Sequence, residues 1–475
     1  MILSIIGKTL IAEGILLFLP MLVGVAYSEN NLIAFLIPSA IALTLGFSFS
    51  FIKRKDDSIY AKEGFVTVAL VWILMSLIGA LPFVISGEIP NYIDALFETV
   101  SGFTTTGASI LSDVEILSKA TMFWRLFTHW IGGMGVLVFV LALIPKYNSG
   151  IMHVFRAESP GPVVGKLVSK LTHTARILYG IYFVMTVLET ILLVCGGNPL
   201  YDSLLLSFST AGTGGFGVRS DSAMSYSLYT QMVIAVFMFL FGINFNFYYL
   251  ILIKCVRKAF KMEEVRWYVT IVVLATILIT INLLSQAIGF LEALPLAFFQ
   301  VTSISSTTGL STANFDTWPA FSQAILIFLT LIGACGGSTG GGMKIARLGI
   351  LVKTTGADIR RLIRPRSVTY AKFEGQQITT ETERNVKAYF LLWIFVVIVS
   401  TILLSLDFGE LFSNFSATLA CIGNVGPGFN AVGPVMNYGF YAPLSKIWLS
   451  FVMLVGRLEI FPMLILFSPR TWKRI

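Results

Sequence analysis

Ten stretches of this chain stay apolar for about 20 residues, the length a helix needs to cross the hydrocarbon core of a bilayer. They fall near 4–27, 31–52, 64–86, 124–145, 174–195, 229–253, 267–288, 320–346, 386–406 and 446–467. A soluble domain has nowhere to bury that much apolar surface. Only 12% of the 475 residues are charged and 56% are hydrophobic, whereas soluble proteins carry about 25% charged residues. The same balance excludes a disordered chain. The chain therefore reads as an all-α polytopic membrane protein. Its first apolar stretch lacks a small-residue cleavage site and a second span follows, so it reads as a helix rather than a signal peptide. Cys195, Cys255, Cys335 and Cys421 are scattered through apolar sequence, which excludes a disulfide framework or a zinc site.

Charge orients the spans. With the N-terminus on the cytoplasmic side, the segments 53–62, 146–176, 254–266, 344–387 and 470–474 face inward. Together with Lys8 they hold all 33 Lys and Arg except Lys119, Arg125, Arg219, Lys446 and Arg457. The outer segments carry acids instead, among them Glu29, Glu88, Asp94, Glu98, Asp202, Glu292 and Asp407. Retention of positive charge in cytoplasmic loops gives this topology. It also accounts for the basic balance without nucleic acid, and no nucleic-acid-binding motif is present.

Four outer segments resemble one another. Each is a half-length apolar stretch running into a turn of small residues: NYIDALFETVSGFTTTGAS from Asn91, NPLYDSLLLSFSTAGTGGFG from Asn198, LEALPLAFFQVTSISSTTGLS from Leu291 and GELFSNFSATLACIGNVGPGF from Gly409. Aligning the turns places Gly107, Gly214, Gly309 and Gly426 in register, in units of roughly one hundred residues that read span, half-helix, glycine turn, span. This divides the chain into an N-terminal two-helix unit (1–60) and four pore repeats (61–150, 151–262, 263–383 and 384–475). Irregular backbone at membrane depth must be buried in protein or line a watery cavity. Four re-entrant turns converging on one axis meet that demand, and glycine permits the left-handed backbone that swings carbonyls toward the axis. A ring of carbonyl oxygens replaces the hydration shell of a bare cation, and the negative C-terminal ends of the half-helices favour it further. With no acidic side chain in the turns, the pattern suits a large monovalent ion better than calcium. The competing reading is four unrelated outer loops that share Gly and Thr.

On these residues the chain resembles the Trk/Ktr/HKT superfamily of potassium transporters, within it the TrkH/TrkG-type membrane subunit. The resemblance rests on the turns TTTGAS, STAGTGGFG, SSTTGLS and CIGNVGPGF, the segment GGSTGGGMK, and GRLEIFP near the C-terminus. It implies four pseudo-symmetric helix–pore-helix–filter–helix repeats around a central pore, and potassium uptake across the cytoplasmic (inner) membrane of a prokaryote. It also implies a homodimer and a cytosolic nucleotide-binding regulatory subunit of the TrkA type. Carried over residue by residue, it puts potassium coordination on carbonyls around Thr105, Thr106 and Gly107; Gly212, Thr213 and Gly214; Thr307, Thr308 and Gly309; and Asn424, Val425 and Gly426. In the superfamily, glycine at all four key positions goes with potassium, and serine in the first repeat with sodium preference. No enzyme activity and no cofactor follow, potassium being the substrate. The alternatives are a less selective or sodium-coupled Ktr-like transporter and, in a different class, a polytopic membrane enzyme or organic-solute carrier.

Two features lie beneath the turns. Gly336, Gly337, Ser338, Thr339, Gly340, Gly341 and Gly342 contain five glycines, each costing about 1 kcal/mol in a helix interior, and are expected to interrupt the eighth span. They read either as a gate loop below the filter, as the resemblance implies, or as a small-residue packing patch. Arg457 falls near the middle of the last span, where an arginine usually faces a cavity or the bundle interior. It is expected to act as a barrier to cations in the pore, or else to pair with Glu189. Glu459, two positions on, is poorly placed as its partner.

Other features carry less. Gly212–Gly217 matches the dinucleotide-binding glycine pattern but no βαβ unit surrounds it, and Gly337–Lys344 only resembles a phosphate loop. His129, His153 and His173 show no ligand spacing and read as structural. Glu13 and Glu189 read as bonding neighbouring helices. The loop 344–387, with Arg360, Arg361, Arg364 and Arg366, suits either a regulatory subunit or anionic lipid.

Overall fold

The structure, a computed structural model, describes residues 2–51, 61–135, 171–286, 288–365 and 370–472. Among these residues six helices are long and apolar enough to cross a membrane: Ile2–Ala26, Ile33–Ser50, Lys62–Ile85, Ala175–Cys195, Glu263–Leu284 and Thr380–Leu404. The first two form the N-terminal pair, held close by small residues. A Cβ on Gly7 would lie 2.6 Å from the Gly46 carbonyl oxygen, so glycine lets the two backbones meet. The other four each open a repeat.

Each opening helix is followed by a half-helix: Tyr92–Phe103, Leu200–Gly212, Phe290–Ser305 and Leu411–Gly423. After each turn a second helix runs on: Lys119–Gly133, Leu228–Phe241, Ala320–Ile332 and Pro443–Arg457. Local sequence sets the starts. Asn91, Ser118 and Ser227 each accept a backbone N–H at their helix N-terminus, satisfying donors that the helix leaves open. Half-helices and following helices alternate around a closed ring, each packing on the next, until Pro443–Arg457 meets Tyr92–Phe103. Lys446 and Asp94 seal that last joint with an ion pair of 2.7 Å.

The following helices depart from the sequence reading. The apolar stretches 229–253 and 446–467 are expected to be continuous spans, yet both are broken; 320–346 is interrupted as expected, but already at Gly333, ahead of the glycine run. Leu228–Phe241 ends at Gly242, and Asn244 caps a new helix, Phe245–Leu252, turned by 87°. Ala320–Ile332 stops at Gly333, whose φ is +70°. Pro443–Arg457 stops before Glu459 and Ile460, both with positive φ. Lys119–Gly133 ends at Gly133, and residues 136–145 of the stretch 124–145 lie outside the described residues. Arg457 is therefore the last residue of its helix rather than the middle of a span.

The described residues of the segment 344–387 include a helix, Ile345–Ile363, and a hairpin pairing Lys372–Phe373 with Gln376–Gln377. Arg366 and His153 lie outside the described residues. Glu13 is fully buried, but its carboxylate has no hydrogen-bond partner among the described residues, contrary to the bond between helices expected of it.

Candidate functional site

All four half-helices end in the same way. Their last turn closes with the paired hydrogen bonds of a Schellman motif. Thr105 N–H donates to Gly102 O and Thr106 N–H to Ser101 O; Thr213 to Thr210 and Gly214 to Ser209; Thr307 to Ile304 and Thr308 to Ser303; Asn424 to Cys421 and Val425 to Ala420. The first residue of each pair sits in the left-handed region, with φ of 53°, 52°, 63° and 52°. Such values are strained for threonine, and burial holds them: Thr105, Thr213, Thr307 and Asn424 are fully buried.

Two residues on, a glycine again has positive φ: Gly107, Gly215, Gly309 and Gly426. These four line one outer cavity, together with Arg125 and Tyr438. The register expected from sequence is therefore corrected in the second repeat, where Gly215 and not Gly214 stands opposite the other three. The equivalent triplets are Thr105-Thr106-Gly107, Thr213-Gly214-Gly215, Thr307-Thr308-Gly309 and Asn424-Val425-Gly426, and Gly212 belongs to the half-helix. The run Gly212-Thr-Gly-Gly offers two Thr/Gly alignments, and only the backbone decides between them.

The triplets form a closed ring. A Cβ on Gly107 would lie 2.1 Å from Gly214 O, one on Gly215 2.0 Å from Thr308 O, one on Gly309 1.9 Å from Val425 O, and one on Gly426 2.5 Å from Thr106 O. Each glycine thus makes room for the middle carbonyl of the next repeat, in the order first, second, third, fourth and back to first.

Most of these carbonyls are unspent. Those of Thr105, Thr106, Thr213, Gly214, Thr307, Thr308, Asn424 and Val425 accept no hydrogen bond from any described residue. Buried backbone oxygens are nearly always paired, so such a cluster calls for an electropositive guest. The ring itself has no carboxylate. Gly426 O differs, accepting from the Tyr438 hydroxyl at 2.7 Å. Side chains brace the turns from behind. Asn424 Nδ2 donates to Thr106 Oγ1 and to Met453 O, each at 3.0 Å. Hydroxyl pairs link Thr104 with Thr106 at 2.8 Å and Ser306 with Thr308 at 2.7 Å.

On the outer side, Arg125 Nε donates to Glu98 Oε1 at 2.6 Å, while its other nitrogens reach Gly217 O and Ser109 Oγ. Farther out, the Ser220 hydroxyl donates to Asp113 at 2.6 Å. That bond, and one from the Glu115 N–H, hold the Asp113 carboxyl below the usual carboxylate range.

Beneath the ring the glycine-rich segment is an irregular loop from Gly333 to Lys344, wedged against the third and fourth turns. Gly341 N–H donates to Thr307 Oγ1 at 2.6 Å. A Cβ on Gly340 would lie 2.6 Å from Ser306 O, and one on Gly341 2.6 Å from Gly423 O. The side chains of Glu264, Lys344 and Arg457 also hold the loop. Glu264 Oε1 accepts from Gly336 N–H at 2.5 Å, and the Asn244 side-chain amide donates from Nδ2 to Glu264 Oε2 at 3.1 Å. Lys344 Nζ donates to Gly340 O. Thr339 O accepts from Arg457 Nη1 at 2.8 Å.

Arg457 also donates from Nη2 to Gly132 O and Gly133 O, at 2.5 and 2.8 Å. These are the final carbonyls of the helix after the first turn, where a helix end favours a cation. One guanidinium thus joins the loop to the opposite repeat below the ring. Glu459 pairs with Arg347 instead, at 2.5 Å. Sequence reasoning missed Glu264, Lys344 and the Arg347–Glu459 pair. Lys344, two residues after the glycine run, was the available signal.

Comparison with known proteins adds an independent finding. A family model described as TrkH, cation transport protein, matches residues 28–474. The Trk system potassium uptake protein TrkH of Salmonella typhimurium (strain LT2) is 33% identical over 481 residues, covering 99% of this chain and 98% of the relative. The Trk system potassium uptake protein TrkG of Escherichia coli (strain K12) is 31% identical over 466 residues, covering 96% and 94%. Among solved structures, the crystal structure of the potassium transporter TrkH from Vibrio parahaemolyticus matches with a TM-score of 0.90 at 31% identity, covering 99% of both chains.

Proposed function

This chain belongs to the TrkH family of cation transport proteins, and on that footing we propose that it is the membrane subunit of a potassium uptake system. The carbonyls of the four triplets form its selectivity filter. One observation carries the reading: eight buried carbonyl oxygens in four equivalent turns, without hydrogen-bond donors among the described residues, where a dehydrated monovalent cation would find its ligands. Potassium is the substrate, and transport needs no catalytic residue.

The loop Gly336–Gly342 is the gate. It occupies the space directly inside the filter, and an ion leaving the turns must displace it. Arg457 holds the loop shut and places positive charge on the path, a barrier to cations until the loop moves. A TrkA-type nucleotide-binding subunit on the cytoplasmic side regulates the opening, the protein works as a homodimer in the inner membrane, and its N-terminus is cytoplasmic; these three points rest on the family resemblance and the charge pattern.

The reading is tested by cation flux into proteoliposomes, comparing potassium, rubidium, sodium and lithium. Potassium and rubidium should enter in preference to sodium and lithium. Equal entry of all four ions would contradict the filter.

A further inference from the structure

The middle position of the filter triplet carries a side chain in three repeats, Thr106, Thr308 and Val425, and none in the second, Gly214. The backbone does not require this glycine, since Gly214 is not among the residues with positive φ. A neighbour requires it. A Cβ on Gly214 would lie 2.2 Å from Cγ, and 2.4 Å from both Cδ2 and Nδ1, of the His129 imidazole. A ring from the helix after the first turn therefore fills the place where the second turn has no side chain of its own.

That ring is fully buried and bonded at both nitrogens. Nδ1 lies 2.7 Å from Gly102 O, in the last turn of the first half-helix. Nε2 accepts from the Phe216 N–H at 3.2 Å. Phe216 directly follows Gly215, the glycine that accommodates Thr308 O. Only the neutral imidazole with its proton on Nδ1 makes both bonds, donating to the first half-helix and accepting from the second turn. Removing it would leave the buried Phe216 N–H without its acceptor, leave Gly102 O with the Thr105 N–H alone, and open a void behind Gly214.

We propose that His129 is a positioning residue of the filter: its Nδ1–H imidazole ties the first half-helix to the second turn, stands in for that turn's missing side chain, and so fixes the Gly214 and Gly215 carbonyls that discriminate potassium from sodium. The inference rests on the filter reading above. His129 itself does not touch the ion.

The test measures the potassium-to-sodium flux ratio in proteoliposomes for His129→Ala, His129→Gln, Gly214→Ala and the double variant His129→Ala/Gly214→Ala, with Gly107→Ser as control. His129→Ala should lower the ratio by about tenfold, the scale of a buried N–H left unsatisfied. His129→Gln, whose amide offers one donor and one acceptor, should keep most of it. Gly214→Ala should lower the ratio on its own, and His129→Ala should partly restore it by making room for the new methyl group. A wild-type ratio in both His129→Ala and Gly214→Ala, while Gly107→Ser loses discrimination, would overturn the proposal and leave the filter intact. An unchanged ratio in Gly107→Ser as well would overturn the filter reading itself. Should the His129→Ala protein not be recovered, Gly214→Ala decides alone: an unaltered ratio there contradicts a carbonyl held in place by the imidazole.

Discussion

Arg125 and Glu98 form a fully buried ion pair, 2.6 Å from Nε to Oε1, immediately outside the first and second filter turns. The pair is a tether as well as a charge match. Glu98 also accepts from the Ser109 hydroxyl and the Ile110 N–H, and Arg125 reaches Gly217 O. It therefore holds the chain leaving both turns. Breaking a buried pair by removing one partner costs about 3–5 kcal/mol, because the other charge stays buried. Glu98→Gln should lower the melting temperature in detergent sharply, whereas loss of the partly exposed ion pair between Lys353 and Glu263 should move it much less.

The corrected register makes a distinct prediction. Gly215→Ser should behave like Gly107→Ser, because both residues have positive φ and both face a neighbouring carbonyl at about the same distance. Each substitution pushes one middle carbonyl out of the ring and should reduce the preference for potassium over sodium. The measurement is the flux ratio of the two ions, and a wild-type ratio in Gly215→Ser would return the register to Gly214.

Arg457→Ala removes three hydrogen bonds to carbonyls, those of Thr339, Gly132 and Gly133. Potassium flux should rise by at least about tenfold, since even one hydrogen bond to a charged group contributes roughly 1.5–3 kcal/mol. Arg457→Lys should fall between the two, because lysine cannot span carbonyls on two repeats with a planar fork. Initial rates of rubidium uptake measure this.

Glu264 holds the other side of the loop through the Gly336 N–H. Glu264→Ala should free the segment from Gly333 to Lys344 and leave the filter unaltered. The expected signature is faster hydrogen exchange at these amides together with raised flux and an unchanged potassium-to-sodium ratio. A changed ratio would mean that Glu264 supports the turns as well.

The fold class was legible because half-helix and glycine turn recur four times, and the family match bears it out. Broken helices were harder to see. Gly242 and Glu459 each sit between apolar neighbours, Phe241 and Ile243 or Leu458 and Ile460, within long apolar stretches, so averaged hydropathy runs straight through the points where the helices end. The interrupted stretch 320–346 was foreseen, since its five clustered glycines leave no doubt about helix cost. The slip of one residue in the second turn has a local cause: Gly214 reads as the conformational glycine, while its smallness serves His129 and the conformational role belongs to Gly215. Partners that meet only in three dimensions, such as Glu264 with Gly336 or Arg457 with Gly132, had no trace in sequence spacing.

The central claim is that the unpaired carbonyls of the four triplets ligate the transported ion. Crystals grown with thallium or rubidium in place of potassium test it most directly, through anomalous scattering. The account predicts peaks on the axis enclosed by Thr106, Gly214, Thr308 and Val425, weakened in Gly107→Ser. Peaks confined to buried carboxylates such as Glu13 or Glu189, with none inside the ring, would contradict it.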